Sequence, residues 1–188
     1  MIITISGAPG SGKSTVAKKL AKKLNWPKFY GGGIRRTKAK AMGLTLAEFN
    51  KLGEHDFRTT DFEVDEYLKK MAKKFPNCVI ESRTAWSLMP QSIKIYIDVE
   101  EQVGAQRVFK ELQKSNHRNE DKNLKAEKDV LLSHRRRKSD DIKRYRKYYK
   151  IKNVFAKKNY DFVLDTSKLT KQQVFQKVYQ YIKKRLVL

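Results

Sequence analysis

The sequence predicts a parallel α/β fold, one sheet with helices on both faces. Three observations carry this expectation. Short apolar or β-branched runs of buried-strand length recur at residues 2–5, 78–80, 93–97 and 162–164. Segments with apolar residues at helical spacing separate them. The first run passes through a glycine-rich turn directly into such a segment. Strands that alternate with helices pair in parallel, because each crossover helix returns the chain to the same end of the sheet. Ligands of such sheets bind at the carboxyl ends of the strands, which directs attention to Ser6, Glu81 and Asp98.

Ile2, Ile3 and Ile5 make the first strand, and Val16, Leu20 and Leu24 give the segment from Lys13 to Leu24 its helical face. Lys28-Phe29-Tyr30 reads as a second short strand, and Gly31-Gly32-Gly33 as a break before a basic helix reaching about Met42. Thr45-Leu46-Ala47-Glu48 and Thr60-Asp61-Phe62-Glu63 both match the capping box, so 34–74 is expected to be helical. The third and fourth strands end at Glu81 and Asp98. Residues 113–125 are polar with charges of both signs, which predicts a mobile connection or a solvated helix pair. A basic helix is expected from about Glu127 to Lys150. After the strand at 162–164, Thr170-Lys171-Gln172-Gln173 caps a last helix with Val174, Val178, Tyr181 and Ile182 on its inner face.

The 188 residues suit a single domain with a core of its own. Lys and Arg number 43 against 20 Asp and Glu, a net charge of +23, so the partners expected are anions: phosphorylated metabolites, nucleic acid or acidic membranes. The one cysteine, Cys78, excludes an intrachain disulfide and a cysteine-based zinc cluster, and lies in an apolar run where a buried free thiol is expected. The sequence shows no charged leader and no apolar stretch of membrane-spanning length. A cytoplasmic monomer with no membrane association is expected.

Gly7-Ala8-Pro9-Gly10-Ser11-Gly12-Lys13-Ser14 matches G-x-x-x-x-G-K-[ST] between a strand and a helix, the context this phosphate-binding loop requires. Its backbone N–H groups converge on phosphate oxygens and the helix start adds partial positive charge. The expected ATP-binding set is Gly7, Ala8, Pro9, Gly10, Ser11, Gly12, Lys13, Ser14 and Thr15, with Lys13 reaching the β- and γ-phosphates and Ser14 ligating Mg²⁺. Glu81 is a candidate for orienting a Mg²⁺-bound water. The N-K-x-D motif by which GTPases read their base is absent, which favours a kinase.

Transfer between phosphorylated groups needs arginines, whose planar fork grips phosphate in two places. Arg36, Arg83, the run Arg135-Arg136-Arg137 and Arg144 stand where such a reaction would use them.

Here the chain resembles the cytidylate kinases, in particular the compact archaeal type within the P-loop nucleoside monophosphate kinases. The carriers are residues 2–7 leading into the loop, Gly32-Gly33-Ile34-Arg35-Arg36, residues 43–50, Val64-Asp65, Val79-Ile80-Glu81-Ser82-Arg83 with Trp86, and Arg144-Tyr145 with Tyr149. The resemblance implies a three-layer P-loop fold with a five-stranded parallel sheet. It also implies a core at 1–29, 76–112 and 151–188, a helical monophosphate-binding flap at about 30–75 and a helical lid at about 113–150. Arg36 and Arg83 would hold the acceptor monophosphate, while Asp61 and Asp65 lie on the flap helices as candidates for reading the base. Arg137, Asp141 and Arg144 match the lid spacing R-x-x-x-D-x-x-R, in which arginines bridge donor and acceptor phosphates and the aspartate holds an arginine. The chain departs from the family at Gly33, usually acidic, at Tyr30, usually small, and at Ser82 and Lys150, usually glycine.

The reaction implied is ATP with CMP or dCMP giving ADP and the diphosphate. Adenylate kinase or another small-metabolite kinase is the alternative, since the loop is common to all of them. An RNA-associated P-loop protein is a reading of another class, suggested by the charge and by basic and aromatic residues interleaved at 144–150.

Overall fold

The computed structural model describes residues 1–114 and 124–186; most of the polar connection expected at 113–125 therefore lies outside the described residues. Strands β1 (Ile2–Gly7), β2 (Lys28–Tyr30), β3 (Cys78–Glu81), β4 (Ile93–Asp98) and β5 (Phe162–Asp165) form one parallel sheet in the order β2-β3-β1-β4-β5. The most apolar strands occupy the centre, where both faces are covered: Ile3, Ile5, Ile95 and Ile97 are wholly buried.

Alternation along the strands sorts side chains between two cores. Ile3, Ile5, Val79, Ile95 and Ile97 pack against α1 (Lys13–Leu24) and the last helix, α8 (Lys171–Leu186), through Val16, Leu20, Val174, Val178 and Ile182. Cys78 and Ile80 face the other way, against Val64, Leu68, Ala85 and Met89. Tyr96 joins Tyr145, Val154 and Phe155 on that second side. The Cys78 thiol is buried, and burial raises its pKa.

Helix α2 (Gly31–Ala41) starts at Gly31, so the expected break at 31–33 is instead the first turn of a helix. The reason is steric. A Cβ on Gly32 or on Gly33 would come within 2.7 Å of the Tyr30 ring, which lies across that turn. Helix α3 (Leu46–Leu52) has its capping box: the Glu48 amide donates to Thr45 Oγ1 at 3.2 Å and the Thr45 amide to Glu48 Oε2 at 2.6 Å. The second expected box does not form. Asp56 accepts from the Thr59 amide at 3.0 Å, one turn earlier, and the chain runs through a π-helical turn (Arg58–Phe62) into α4 (Glu63–Lys74). The Thr60 hydroxyl lies 2.9 Å from both the Asp56 carbonyl and Asp61 Oδ2, and its one proton serves one of the two.

A short helix, α5 (Ala85–Leu88), follows β3, and α6 (Glu101–Leu112) follows β4. Helix α7 (Glu127–Tyr149) packs on α6 through Val130 against Ala105 and Val108. It ends at Lys150, a left-handed residue with φ 59°. Gln173 and Thr170 cap α8 as expected, through the Gln173 amide to Thr170 Oγ1 at 3.2 Å and the Thr170 amide to Gln173 Oε1 at 2.9 Å. Among the described residues no helix is long and apolar enough to cross a membrane.

Candidate active site

β1 delivers the loop to the carboxyl edge of the sheet. Gly10 takes φ 76°, and a Cβ there would fall 2.2 Å from the Gly104 carbonyl, so the loop and α6 can meet only through glycine. Gly12 caps α1 with no side-chain hydrogen bond, which leaves the first-turn amides available to an anion. Lys13 Nζ donates to the Ala8 carbonyl at 3.1 Å, across the mouth of the loop. Pro9, Ser11 and Thr15 complete the turn, and among the described residues the buried Ser11 hydroxyl finds no hydrogen-bond partner.

Ser14 Oγ donates to Glu81 Oε1 at 2.5 Å, and Lys28 Nζ lies 3.3 Å from Glu81 Oε2. Glu81 is 1% exposed at the end of β3. A hydroxyl beside a carboxylate is an oxygen-only donor set and suits Mg²⁺. Among the described residues no group of three or more His, Cys, Asp or Glu could cage a metal by itself, so Mg²⁺ here would be completed by water and phosphate oxygens.

Thr166, just past β5, braces the loop from below. Its hydroxyl lies 3.1 Å from the Ser11 carbonyl and 2.9 Å from the Asp98 carbonyl, while Arg107 on α6 donates to Thr166 Oγ1 at 3.1 Å and to its carbonyl at 2.8 Å. Sequence reasoning passed over both residues. Thr166 was within reach, since it lies next to the carboxyl end of β5, at the same edge of the sheet as Ser6, Glu81 and Asp98. Asp98 itself pairs with Lys157 at 2.7 Å.

A buried ladder of alternating charge runs from α2 through the π-helical turn to α7 and to Arg83, just past β3. Arg35 Nη1 donates to Asp61 Oδ1 at 2.6 Å and Nη2 to Asn50 Oδ1 at 2.7 Å. Asp61 Oδ2 meets Arg144 Nε at 3.0 Å, Arg144 Nη2 donates to Asp141 Oδ1 at 2.6 Å, and Asp141 Oδ2 meets Arg83 Nε at 3.0 Å. Burial alone would raise both aspartates. Arg35 and Arg144 nevertheless hold Asp61 below the usual carboxylate range, and Arg83, Arg144 and Arg137 do the same for Asp141. Arg144 is raised in turn: burial opposes its charge, and neighbouring Tyr145, Asp141 and Asp61 more than restore it. Three arginines against two aspartates leave the ladder with one positive charge in excess.

Asp65 stands apart from this ladder. It accepts from Thr84 Oγ1 at 2.9 Å and from the Tyr149 hydroxyl, and burial pushes its pKa up to about 6 against those two hydrogen bonds. Arg36 points the other way from Arg35, its Nη1 donating to the Tyr30 hydroxyl at 2.7 Å. Arg137 is half-buried near Asp141, while Arg135 pairs with Glu101 at 2.8 Å on the outer side of α7. Tyr148 stacks on Phe57 with ring centres 4.1 Å apart and its hydroxyl donates to the Glu54 carbonyl at 3.0 Å. Tyr148 and Tyr149 thus serve contacts between α7 and Phe57, while Tyr145 packs into the core beside Tyr96.

The geometry brings Arg83, Asp61, Asp141 and Arg144 into one chain of contacts and joins Ser14 to Glu81, leaving Arg36 and Asp65 with partners of their own. Arg35 and Asn50 were not singled out from sequence, because adjacent arginines on a helix look alike until their directions are known.

The family model described as cytidylate kinase-like matches residues 2–168. A cytidylate kinase of Methanocella arvoryzae is 34% identical over 168 residues, covering 89% of each chain. One of Methanocaldococcus jannaschii is 36% identical over 180 residues, covering 93% of each. Among solved structures, a shikimate kinase from Acinetobacter baumannii in complex with shikimate superposes with a TM-score of 0.61 at 18% identity, over 98% of this chain and 93% of that one. That likeness is one of fold.

Proposed function

The chain belongs to the cytidylate kinase-like family, and from that membership we propose that it is an ATP-dependent phosphotransferase moving the γ-phosphate of ATP onto CMP or dCMP, with ADP and the nucleoside diphosphate as products. The observation that carries the reading is the buried ladder Arg35–Asp61–Arg144–Asp141–Arg83, whose unbalanced positive charge sits at the carboxyl edge of a sheet that also bears a phosphate loop. Two phosphorylated nucleotides brought together concentrate negative charge, and cations fixed in advance stabilise that arrangement without reorganising during transfer.

In this reading the amides of residues 7–15 and the Lys13 ammonium hold the donor phosphates. Arg36 and Arg83 take the acceptor monophosphate, and Arg137 and Arg144 span the two from the lid. Asp141 positions Arg83 and Arg144. An acceptor phosphate oxygen attacks the γ-phosphorus in line as the bond to the ADP oxygen breaks; the attacking oxygen is already ionised, so no general base is needed. Ser14, with Glu81 by way of water, would hold Mg²⁺, which would supply charge neutralisation at the phosphate oxygens. The flap at about 30–75 and the lid at about 113–150 close over the core at 1–29, 76–112 and 151–188, excluding the water that would otherwise hydrolyse ATP. Asp61 contributes by fixing Arg144. Asp65 is the carboxylate proposed to accept from the exocyclic amino group of cytosine. The protein is taken to act as a cytoplasmic monomer on small nucleotides.

Coupled ADP-release assays across CMP, dCMP, UMP, AMP, GMP and shikimate test the reading. CMP and dCMP should exceed every other acceptor in kcat/KM by about tenfold or more. Preference for AMP or shikimate would overturn the cytosine assignment and leave a kinase of different specificity.

A further inference from the structure

Helices α1 and α8 lie together on one face of the sheet, and their outward residues carry a single sign of charge. The two helices hold five Lys or Arg each and no Asp or Glu. Helices α4 and α7, by contrast, mix signs, beginning with Glu63, Asp65 and Glu66 and with Glu127 and Asp129. Lys13 belongs to the phosphate loop; among the described residues none of the other nine cations enters an ion pair. Like charges gathered this way repel, so the face costs the free protein stability and favours an anion.

Aromatic rings lie among these cations. Phe175 and Tyr179 stack with centres 5.8 Å apart, Lys19 and Lys23 each 5.8 Å above one ring of the pair. Phe162 on β5 stacks on Tyr181 of α8 at 4.4 Å, with Arg185 at 4.9 Å. Beside that second pair a groove of about 790 Å³ opens between α8 and β5, the edge strand of the sheet, and Lys177, Lys183 and Lys184 line it. All of its lining residues fall at 162–184, outside the phosphate loop, the flap and the lid.

We propose that this face binds single-stranded nucleic acid, its backbone phosphates on the groove lysines and its bases against the two ring pairs. Charge by itself would suit a duplex or an anionic membrane equally. Phe162, Phe175, Tyr179 and Tyr181 pack against the core on one side and stay partly exposed, and that exposed ring surface favours a single strand, whose unpaired bases can stack on it.

The test is fluorescence anisotropy with the full chain in about 150 mM KCl, using labelled oligo(U) and oligo(dT) of about 20 nucleotides, a duplex of equal length and, separately, phosphatidylserine vesicles. Both single strands should bind more tightly than the duplex, and the tighter of the two identifies the sugar. Lys183→Glu with Lys184→Glu should weaken strand binding by about tenfold or more and reduce the salt dependence by about two phosphate contacts. Lys73→Glu with Lys74→Glu on α4 makes the same change in net charge and should have little effect. Tyr179→Leu should weaken the single strands and spare the duplex. Unchanged kinase turnover in each variant reports an intact fold. The proposal is overturned by equal weakening from the two charge reversals, by a duplex bound as tightly as a strand, or by binding to vesicles without binding to strands.

Discussion

Asp141 and Arg144 pair at 2.6 Å one turn apart on α7, both almost wholly buried. Asp141 also faces Arg83, so a single carboxylate neutralises two guanidinium groups from two different elements. Replacing it leaves two buried cations face to face, a change that costs about 3–5 kcal/mol when one partner of a buried pair is removed. Asp141→Asn should therefore lower the urea midpoint sharply. Because the native carboxyl lies below its usual range, the stability it contributes is present at neutral pH and lost as pH falls through the folded pKa. The gap between wild type and variant should accordingly close in acid, below about pH 4. A gap that stays constant down to that range would show that the ladder contributes through packing rather than charge.

Arg137 and Arg144, both on α7, separate kinetically. Arg144→Ala strands Asp61 and Asp141 and should lower stability along with activity, which confounds its interpretation. Arg137 is only half-buried, so Arg137→Ala should fold normally and lower kcat far more than it raises KM for CMP. Lys13→Ala should fold as well and lose transfer almost entirely, judged by circular dichroism beside the ADP-release assay.

Tyr30 fills the space that side chains at 32 and 33 would need and holds Arg36 by its hydroxyl. The ring at 30 and the missing side chains at 32 and 33 are thus matched to one another. Tyr30→Phe should raise the CMP KM severalfold with kcat nearly unchanged, since only the tether on Arg36 is lost. Gly33→Glu should be tolerated in a Tyr30→Ser background and damaging alone, a double-mutant cycle measurable by thermal melts.

Asp65 should give the opposite pH signature to Asp141. Its folded pKa, near 6, lies above the ordinary carboxylate value, so its favourable contribution is complete below about pH 4 and disappears as pH rises through 6. Asp65→Asn should flatten the fall in urea midpoint across that interval. If the carboxylate also reads the base, the CMP to UMP ratio of kcat/KM should drop by about tenfold with ATP affinity retained. An unchanged ratio would confine Asp65 to tying α4 to Tyr149 and Thr84.

Lys150 closes α7 in a left-handed conformation that glycine adopts without steric cost. Lys150→Gly should stabilise the fold by about 0.5–1 kcal/mol, the relief of Cβ strain partly offset by a more flexible unfolded chain. Chemical denaturation checks it.

What the sequence disclosed follows the range of each interaction. The strand, loop and first helix are encoded within some twenty consecutive residues and were legible there. So were the capping box at Thr45 and the cap at Thr170. The second box was illusory, because Asp56 stands one turn upstream and takes the cap, a competition that the four-residue pattern does not register. The glycines at 31–33 looked like a break because the ring that Gly32 and Gly33 accommodate belongs to Tyr30, just before the helix. Arg35 was missed because its partners Asn50 and Asp61 are distant in sequence, and only the folded helix shows that it and Arg36 point to different neighbours.

The clasp between Thr166 and Ser11 joins residues 155 positions apart. During synthesis, β1 and its loop leave the ribosome first. Yet β1 ends up between β3 and β4, and the residue that secures its loop is made only after most of the chain has emerged. A contact of that span forms late and must await the local helices. Nucleotide is therefore expected to find no proper cradle on a nascent chain halted before Thr166, however early the glycine motif itself was translated. Competence arrives late in translation, and ribosome-bound fragments of increasing length, each carried by a C-terminal linker long enough to clear the exit tunnel, should gain it in one step once Thr166 is included.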